Sequence, residues 1–265
     1  MLKIYQRLWQ VNWAEQWQYR ANLLMYLLYW LVSPIVYMAV WTTIANANGT
    51  VNGLSANDFV TYYMTLLVVD QLTSNIVIHI FAYKIQDGTL SGELIRPIHP
   101  MLVNTLTVNT ANKALNFLVF LPIWGVFFFL FRPDYAAVTW QNVLMALPMI
   151  SLGFLIGFLL SAAITCIAFW TTRVWAIHEF YFGVLVLFSG QFVPLSLMPT
   201  IVQQIAQYLP FQFFLYFPIQ LVLGKLNLDQ ILWGYVQAVF WLLLSFLLFN
   251  WVWRTGVKKF SAVGA

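Results

Sequence analysis

The side chains best suited to chemistry lie close together in one long apolar stretch of the chain. Gln71, Asn75 and His79 are four residues apart and therefore share one face of a helix, with Asp70 and Ser74 beside them. Polar groups that face lipid cost several kcal/mol each, so this face is expected to point into a helix bundle or toward a second subunit. Such a face is able to line a polar translocation path or to hold helices together by hydrogen bonds.

Asp70 is the carboxylate of that polar face and lies near the middle of the apolar stretch. Three functional roles are open to it: it lines a polar path, carries a proton, or pairs with a base on a neighbouring helix, such as Lys113. The structural alternative is hydrogen bonding between helices at a dimer interface, which is common between membrane spans. The sequence leaves both interpretations open.

The sequence lacks the short motifs that bind nucleotides or catalyse hydrolysis. It contains no G-x-x-x-x-G-K-[ST] loop for phosphates, no H-E-x-x-H, no C-x-x-C and no G-x-S-x-G. His79, His99 and His178 are far apart in sequence, which favours interfacial or loop roles over metal binding. We therefore predict no catalytic, cofactor or metal site on this chain. If ATP drives the protein, the ATPase is a separate subunit.

The composition places the chain in a membrane. Of its 265 residues 62% are hydrophobic and 8% are charged, which is more apolar surface than a soluble core of this size buries. The net charge is +4, but the bases are scattered between apolar runs, which argues against nucleic acid as a partner. The single cysteine, Cys166, excludes an intrachain disulfide.

Six runs of about 20 apolar residues predict an all-α integral membrane protein with six transmembrane helices. The runs cover residues 21–45, 59–81, 114–131, 143–170, 174–192 and 231–253. Six spans put both termini on the same side of the membrane. With the N-terminus in the cytosol, ten of the twelve bases lie inside and only Arg132 and Lys225 lie outside, in agreement with the positive-inside rule. The ten are Lys3, Arg7, Arg20, Lys84, Arg96, Lys113, Arg173, Arg254, Lys258 and Lys259.

Residues 1–20 are too polar to span a membrane and are predicted to form an interfacial helix ahead of one membrane domain, residues 21–265. Tyr5, Leu8, Trp9, Trp13 and Trp17 recur at near-helical spacing, which suits a helix whose indole rings lie at headgroup depth. The alternative is an ordinary cytosolic segment that leads into the first span.

The segment between the fifth and sixth spans, residues 193–230, is apolar but repeatedly interrupted. Pro194, Pro199, Pro210 and Pro218 break it into short pieces. Such a segment predicts short re-entrant helices packed against protein on the outer side of the membrane. The alternative is a kinked seventh span, which would place the basic C-terminus outside.

A short polar segment between the second and third spans is predicted to dock onto another protein. Gly88 belongs to a turn signal, Leu90, Leu94 and Ile95 form a small apolar face over one helical turn, and Pro97 ends the helix. A cytosolic helix that presents leucines and the adjacent arginine suits a groove on a partner. The alternative is a connecting loop with its own satisfied turn.

Three stretches in order resemble one family. "DGTLSGELIRPIHPM" is similar to the pattern Gly-x-Leu-x-x-x-Leu-Leu-Arg-Pro that follows the second span in permease subunits of type-2 ATP-binding-cassette (ABC) exporters, in the six-span branch of about this length. "FSGQFVPLSLMPTIVQQIAQYLPFQFFLYFPIQLVLG" resembles the segment after the fifth span of that branch, and "KKFSAVGA" resembles its usual ending. The resemblance runs almost from end to end.

The resemblance implies a permease that pairs with a second permease, of the same or a different chain, and binds two cytosolic ATPase subunits that carry ATP and Mg. It also implies a bacterial inner membrane with both termini in the cytosol, and external helices that cap the exit. Residues expected to seat a coupling helix in the ATPase are Gly88, Leu90, Leu94, Arg96 and Pro97. Ser91 stands where the family often has an acid, so no salt bridge is expected there.

The function predicted from these features is a permease that exports an amphipathic or lipid-like substrate, with many Phe and Trp side chains available to line an apolar path. Those aromatic residues also suit a lipid-facing surface. Two other functions stay open. One is an intramembrane lipid-modifying enzyme with Asp70 and His79 as acid and base, and the other is an ATP-independent channel or scaffold.

Overall fold

The computed structural model describes residues 2–260, except for the side chains at positions 2, 20 and 22, and this range contains no β-strand. The α-helices in chain order are α1 (Leu2–Gln18), α2 (Arg20–Asn48), α3 (Ala56–Thr73), α4 (Val77–Gln86), α5 (Ser91–Leu94), α6 (Leu106–Phe131), α7 (Trp140–Thr165), α8 (Val174–Phe188), α9 (Thr200–Tyr208), α10 (Tyr216–Val222) and α11 (Leu228–Val257). A π-helix, Pro100–Thr105, leads into α6, and 3₁₀ turns lie at Cys166–Phe169, Leu195–Leu197 and Pro210–Phe213.

Five helical segments of 26 to 32 residues are long and apolar enough to cross a membrane. They are Leu23–Asn48, Ala56–Gln86, Pro100–Phe131, Trp140–Phe169 and Leu228–Val257. The prediction of an all-α membrane protein is confirmed. The fifth predicted span, residues 174–192, contains only the 15-residue helix α8, so its passage across a membrane stays a prediction.

The third span begins earlier than the apolar run at residue 114 suggested. Its first turns carry polar residues that bond back to the preceding turn: Asn109 donates to the carbonyl of Thr105 at 3.1 Å, and Thr110 donates to that of Leu106 at 3.0 Å. Because these side chains satisfy themselves locally, a helix is possible where a hydropathy scan finds none. The helix therefore runs from Pro100, well before the first apolar residues of the predicted span.

The loops gather at two ends of the bundle. At one end, Asp58, Asp134 and Lys225 line a shared cavity, and the Lys225 ammonium is 3.7 Å from the Asp58 carboxylate. At the other end, the side-chain amide of Gln86 donates to the carbonyl of Thr172 at 3.2 Å. Residues predicted on the same side of the membrane thus lie at the same end of the bundle. We call the end with Lys225 the outer end and the end with Gln86 the inner end.

Two large apolar clusters fill the two ends. The outer cluster joins α3, α7 and the segment between α8 and α11, and its fully buried aromatic residues include Phe59, Tyr63 and Phe213. The inner cluster joins α4, the end of α7 and the end of α11 around Phe81 and Phe249.

The interrupted segment after α8, residues 190–226, folds into short helices, which we call the re-entrant segment. Its helices α9 and α10 have nine and seven residues, each shorter than a span. Pro194 and Pro199 immediately precede helical turns, Pro210 begins one, and Pro218 is the third residue of α10. A helix needs no donor at these positions, so proline starts each piece without breaking it.

The re-entrant segment packs closely against α7. A Cβ atom at Gly153 would collide with the backbone carbonyl of Phe213, so only glycine allows this approach. At Gly157 the nearest atoms, on the side chains of Asn75 and Phe214, are 3.6 and 3.7 Å from the Cβ position. The small residues of α7 therefore admit both the re-entrant segment and the region around Asn75.

The N-terminal helix α1 packs along α6. The hydroxyl groups of Tyr5 and Thr110 are 3.1 Å apart, and the Asn112 amide donates to the Gln16 carbonyl oxygen at 3.1 Å. The predicted membrane-facing stripe is thus turned partly toward protein: Tyr5, Leu8, Trp9 and Trp13 are half-buried, whereas Trp17 is exposed. The polar start of α6 supplies the partners that hold α1 there. Of the predicted ending KKFSAVGA, only Lys258, Lys259 and Phe260 lie within the described residues.

Candidate functional site

The polar face predicted on the second span is not on one continuous helix. Helix α3 ends at Thr73 and α4 begins at Val77, so residues 74–76 form a break inside the segment that was predicted as one span. Asn75 therefore lies in the break, and the expected alignment of Gln71, Asn75 and His79 on one helical face is wrong. The reason is that side chains of α6 compete for the backbone groups of α3 and α4.

Two side chains of α6 satisfy the backbone that the break leaves free. The Lys113 ammonium donates to the carbonyl of Gln71 at 2.9 Å and to the Ser74 hydroxyl at 2.6 Å. The backbone N–H of Ile76 donates to the Asn109 side-chain oxygen at 2.9 Å. Broken helices at membrane depth are stable only where protein or water replaces the missing hydrogen bonds, and here α6 does so.

Asp70 lies in the last turn of α3, before the break, and its side chain is buried, with 9% of the residue's surface exposed. One of the roles left open for Asp70, a direct ion pair with Lys113, is not formed within the described residues, because the Lys113 ammonium is bonded to the Gln71 carbonyl and the Ser74 hydroxyl instead. Lys113 is half-buried and its ammonium is bonded inside the bundle, so it is not one of the free cytosolic bases of the charge count. The other nine bases predicted in the cytosol still outnumber the two predicted outside.

A cavity of about 300 Å³ opens beside the break, between α1, α2 and α6. It is rich in side-chain amides, and we call it the amide cavity. Its polar lining includes Gln16, Gln71, Asn75, Asn109, Asn112, Lys113 and Asn116, and its aromatic lining is Tyr19, Tyr26 and Trp30. Of the residues predicted to face a translocation path or a dimer interface, Gln71, Ser74 and Asn75 line this cavity and Asp70 does not, and their role stays a prediction. A volume near 300 Å³ is at the lower end of the range for small-molecule sites.

A smaller cavity of about 60 Å³ lies on the Asp70 side of the break, and Trp30, Ser74, Asn75 and His79 border both cavities. His79 and His178 meet there, with ring centroids 6.1 Å apart, although they lie on α4 and α8. This pairing was not predicted, because nothing in the local sequence of either histidine indicates the other.

The predicted docking segment forms a tight structure at the inner end. Gly88 has φ of +75°, a conformation that favours glycine, and it lets the chain turn directly after α4. Leu90 is fully buried in the inner cluster, and its N–H donates to the carbonyl of Lys84 at 2.9 Å. The expectation that Leu90 is presented to a partner is therefore wrong. The Leu90 side chain anchors the turn instead, because it is packed inside the inner cluster.

Glu93 ties the docking segment to two neighbours. One carboxylate oxygen accepts from the Lys84 ammonium at 2.6 Å and from the Asn104 amide at 3.1 Å. Lys84 belongs to α4, and Asn104 belongs to the π-helix before α6. The docking segment is thus fastened both to α4 and to the π-helix that begins the third span.

The exposed tip of the docking segment consists of Ile95, Arg96 and Pro97, which follow α5 directly. Ile95 is 86% exposed, the highest value among the large apolar side chains that the structure describes, whereas Leu94 is half-buried. The predicted apolar face is therefore carried by Ile95 rather than by the leucines. As predicted, the helical turn ends before Pro97.

His99 caps the π-helix that follows the tip. Its Nδ1 atom accepts from the backbone N–H groups of Met101 and Leu102, each at 3.2 Å, and its ring lies 4.7 Å from that of Trp253. Burial against these neighbours lowers the pKa of His99 below its ordinary value, because the charged form loses solvation. The cap also needs the neutral form, since a protonated Nδ1 cannot accept a hydrogen bond.

A family model described as ABC-2 family transporter protein matches residues 31–264, which is most of the chain. The chain belongs to the ABC-2 transporter family. It is therefore the transmembrane permease subunit of an ABC transporter, and this membership implies an ATP-binding partner. No curated protein matches the chain. In this ABC-2 permease, the docking segment and the break are joined by the ten-residue helix α4.

Proposed function

We propose that this ABC-2 permease exports an amphipathic or lipid-like molecule across a bacterial inner membrane, driven by ATP and Mg bound to a separate ATPase. The proposed assembly contains two ATPase subunits and a second permease of the same or a different chain, with both termini in the cytosol. The observation that carries the proposal is the physical connection from the exposed tip, through α4, to the break beside the amide cavity.

The first step of that connection is the fastening of the tip to α4. Leu90 is buried beneath the tip, and the ion pair between Lys84 and Glu93 has both partners largely shielded from solvent. A displacement of Ile95 or Arg96 by a docked ATPase is therefore passed to α4 instead of being absorbed by a loose loop.

The second step is the break itself. Within residues 74–76 the Ser74 N–H still donates to the carbonyl of Asp70 at 2.9 Å, but the Ile76 N–H donates to the Asn109 side chain instead of to a preceding turn, so the helical hydrogen-bond ladder between α3 and α4 is interrupted. The Lys113 ammonium, which donates to the Gln71 carbonyl, and the Asn109 side-chain oxygen, which accepts from the Ile76 N–H, hold the present angle, and both side chains can follow a small movement. Tilting α4 therefore changes the walls of the amide cavity, which include residues on both sides of the break.

The chemistry of the cavity supports an amphipathic substrate. Amide groups and Lys113 offer polar contacts, while Tyr26 and Trp30 offer aromatic surface at the α2 side. An acid and base pair of Asp70 and His79 would have to act in the smaller cavity, whose volume of about 60 Å³ holds little more than water. The geometry thus favours transport over an intramembrane reaction on lipid.

The experiment that tests the proposal is purification of the tagged chain from its native host in mild detergent, followed by identification of co-purifying proteins. We expect a P-loop ATPase, and we expect Ile95→Asp to release it because an apolar contact is replaced by a charge. The matched control is Ile201→Asp, since Ile201 is 71% exposed on α9 at the outer end and should not touch a cytosolic partner.

The outcomes distinguish the alternatives. Loss of the ATPase with Ile95→Asp and its retention with Ile201→Asp would support docking at the tip. A second six-span protein in the native sample would indicate a mixed permease pair. Recovery of the intact chain without any ATPase, together with transport by that chain without nucleotide, would support the channel function and overturn the proposal.

A further inference from the structure

The amide cavity contains a ladder of amide side chains that is incomplete at one end. Asn116 donates to the Asn112 oxygen at 2.7 Å, and Asn112 donates to the Gln16 oxygen at 3.1 Å. The side-chain oxygen of Asn116 is buried and has no hydrogen-bond partner among the described residues. A buried acceptor without a partner is costly, so a bound ligand that donates a hydrogen bond there would be stabilised.

The cavity offers donors as well as acceptors. The side chains of Gln71 and Asn75 line it and make no hydrogen bond to other described residues, so their amide groups are available to a ligand. An amide carries two donor hydrogens and one acceptor oxygen. A hydroxyl group is the simplest partner that satisfies both kinds, because it donates one hydrogen bond and accepts others.

The charges of the cavity are balanced. Its ionisable lining residues are Glu15, Lys113 and His79, and two of the three Lys113 donors are already taken by the Gln71 carbonyl and the Ser74 hydroxyl. An anionic ligand would meet Glu15 as well as Lys113, and a cationic ligand would meet Lys113 as well as Glu15, so neither finds an unopposed opposite charge to offset its lost hydration. An uncharged polar group does not have this cost.

One wall of the cavity continues into an apolar surface. Tyr26 lines the cavity from α2 and is itself 54% exposed, while Met25 and Tyr29 beside it are 70% and 74% exposed. A ligand that places a polar group among the amides can therefore extend an alkyl chain along α2 toward the surrounding lipid. A fully polar ligand would make no use of this surface.

We propose that the amide cavity binds the uncharged, hydroxyl-bearing head group of an amphipathic molecule, with the alkyl chain lying along the exposed face of α2. The hydroxyl groups bond to Asn116, Gln71 and Asn75, and the aromatic rings of Tyr26 and Trp30 cover the apolar face of the head group. This inference deepens the proposed function by naming the substrate class, and as a statement about transport it rests on that function.

The test measures binding to the purified full-length chain in phosphatidylcholine nanodiscs, without nucleotide or ATPase. The probe is an octyl glucoside that carries a photoactivatable group on its alkyl chain, and the labelled peptides are identified by mass spectrometry. We expect labelling on α2, along which the alkyl chain is proposed to lie. Unlabelled octyl glucoside should compete, whereas octyltrimethylammonium and octyl sulfate should need concentrations about tenfold higher or more.

The variant for this test is Asn116→Leu, which removes the unpaired acceptor together with the hydrogen bond to Asn112 and keeps the size of the side chain. It should weaken glucoside competition about fivefold, the effect of one hydrogen bond. The matched control is Asn250→Leu on α11, whose amide bonds only to the carbonyl of Phe246 in its own helix. If Asn116→Leu does not fold, the competition series on the unchanged chain still decides between head groups.

Equal competition by all three detergents would show that only the alkyl chain binds and would overturn the proposal. Preference for the ammonium or the sulfate compound would also overturn it and would indicate a charged substrate. Because binding is measured without the ATPase, its failure leaves the docking experiment with Ile95→Asp unaffected. Loss of the ATPase association would in turn leave the binding result standing.

Discussion

Two interruptions of apolar helices in this protein are stabilised in opposite ways. At the start of the re-entrant segment, aromatic side chains cover the free carbonyls: the Tyr62 hydroxyl donates to Gly190 at 2.7 Å, and the Tyr63 hydroxyl and the Trp41 indole donate to Phe192 at 2.7 and 3.0 Å. At the break in the second span, the Lys113 ammonium donates to the Gln71 carbonyl, and the Asn109 side-chain oxygen accepts from the Ile76 N–H.

Both interruptions leave backbone groups that need hydrogen-bond partners, but one becomes a rigid region and the other an adaptable one. A tyrosine or tryptophan donor brings a large apolar ring, so the outer interruption is buried inside a packed cluster. Lysine and asparagine bring little apolar volume, so the inner interruption borders a cavity. Polar bonds around a cavity can be exchanged for bonds to a ligand or water, whereas packed rings cannot move without loss of contact.

The largest loss of stability is expected from a substitution in the packed outer region. Gly153→Ala would push a methyl group into the backbone of Phe213, and we expect a loss of about 2 kcal/mol or more in the free energy of unfolding. Gly157→Ala is the matched control, because its Cβ meets side chains at 3.6–3.7 Å and also favours the helix. Thermal unfolding in detergent, followed by size-exclusion chromatography, measures both. Equal effects would mean that the close approach at Gly153 does not hold the segment.

The break should respond to Lys113→Met, which removes the donor to the Gln71 carbonyl and the Ser74 hydroxyl. We expect a loss of about 1–3 kcal/mol, because both acceptors are left without this partner inside the bundle. Lys225→Met is the control, since its ion pair at the outer end is exposed and should contribute less than about 1 kcal/mol. A stable Lys113→Met variant with an unchanged unfolding temperature would contradict the proposed stabilisation of the break.

A smaller loss of stability is expected when the contacts that hold the docking segment are removed. Glu93→Gln removes the charge that holds Lys84 and Asn104, at an expected cost of about 1 kcal/mol. Hydrogen–deuterium exchange should increase at the amides of residues 88–96 and not in the outer cluster. Glu179→Gln is the control, because that carboxylate is largely exposed and its contact with His178 is 3.8 Å long. An unchanged exchange pattern in Glu93→Gln would show that Leu90 alone holds the turn.

The smallest expected effect is the pH dependence of His99. Its pKa is lowered in the folded chain, so its contribution to stability is complete above the unfolded pKa of about 6.5. Below that pH the unfolded chain binds a proton more readily, and stability should fall until the folded pKa is reached. His99→Asn keeps a capping oxygen that does not titrate, so its unfolding temperature should change less between pH 7.5 and 5.5 than that of the unchanged chain, measured side by side. Identical pH profiles would contradict this role.

The sequence by itself determined the class of the protein and the positions at which its short helices and turns begin and end. Long apolar runs predicted a helical membrane protein because hydropathy and helix length are local properties. The prolines between residues 193 and 230 predicted short helices, and each one lies where a helix needs no N–H donor. Gly88 and Pro97 predicted the limits of the docking turn for the same reason, since turn geometry depends on the residues within it.

Only the tertiary structure decided where the second span breaks and which side chains face outward. Residues 74–76 contain neither glycine nor proline, and the break depends on Lys113 and Asn109, which are far along the chain. Burial of Leu90 and exposure of Ile95 likewise depend on how α4, α7 and α11 meet at the inner end. Such choices depend on competition between distant groups for the same space and the same hydrogen bonds, and that competition has no local pattern in the sequence.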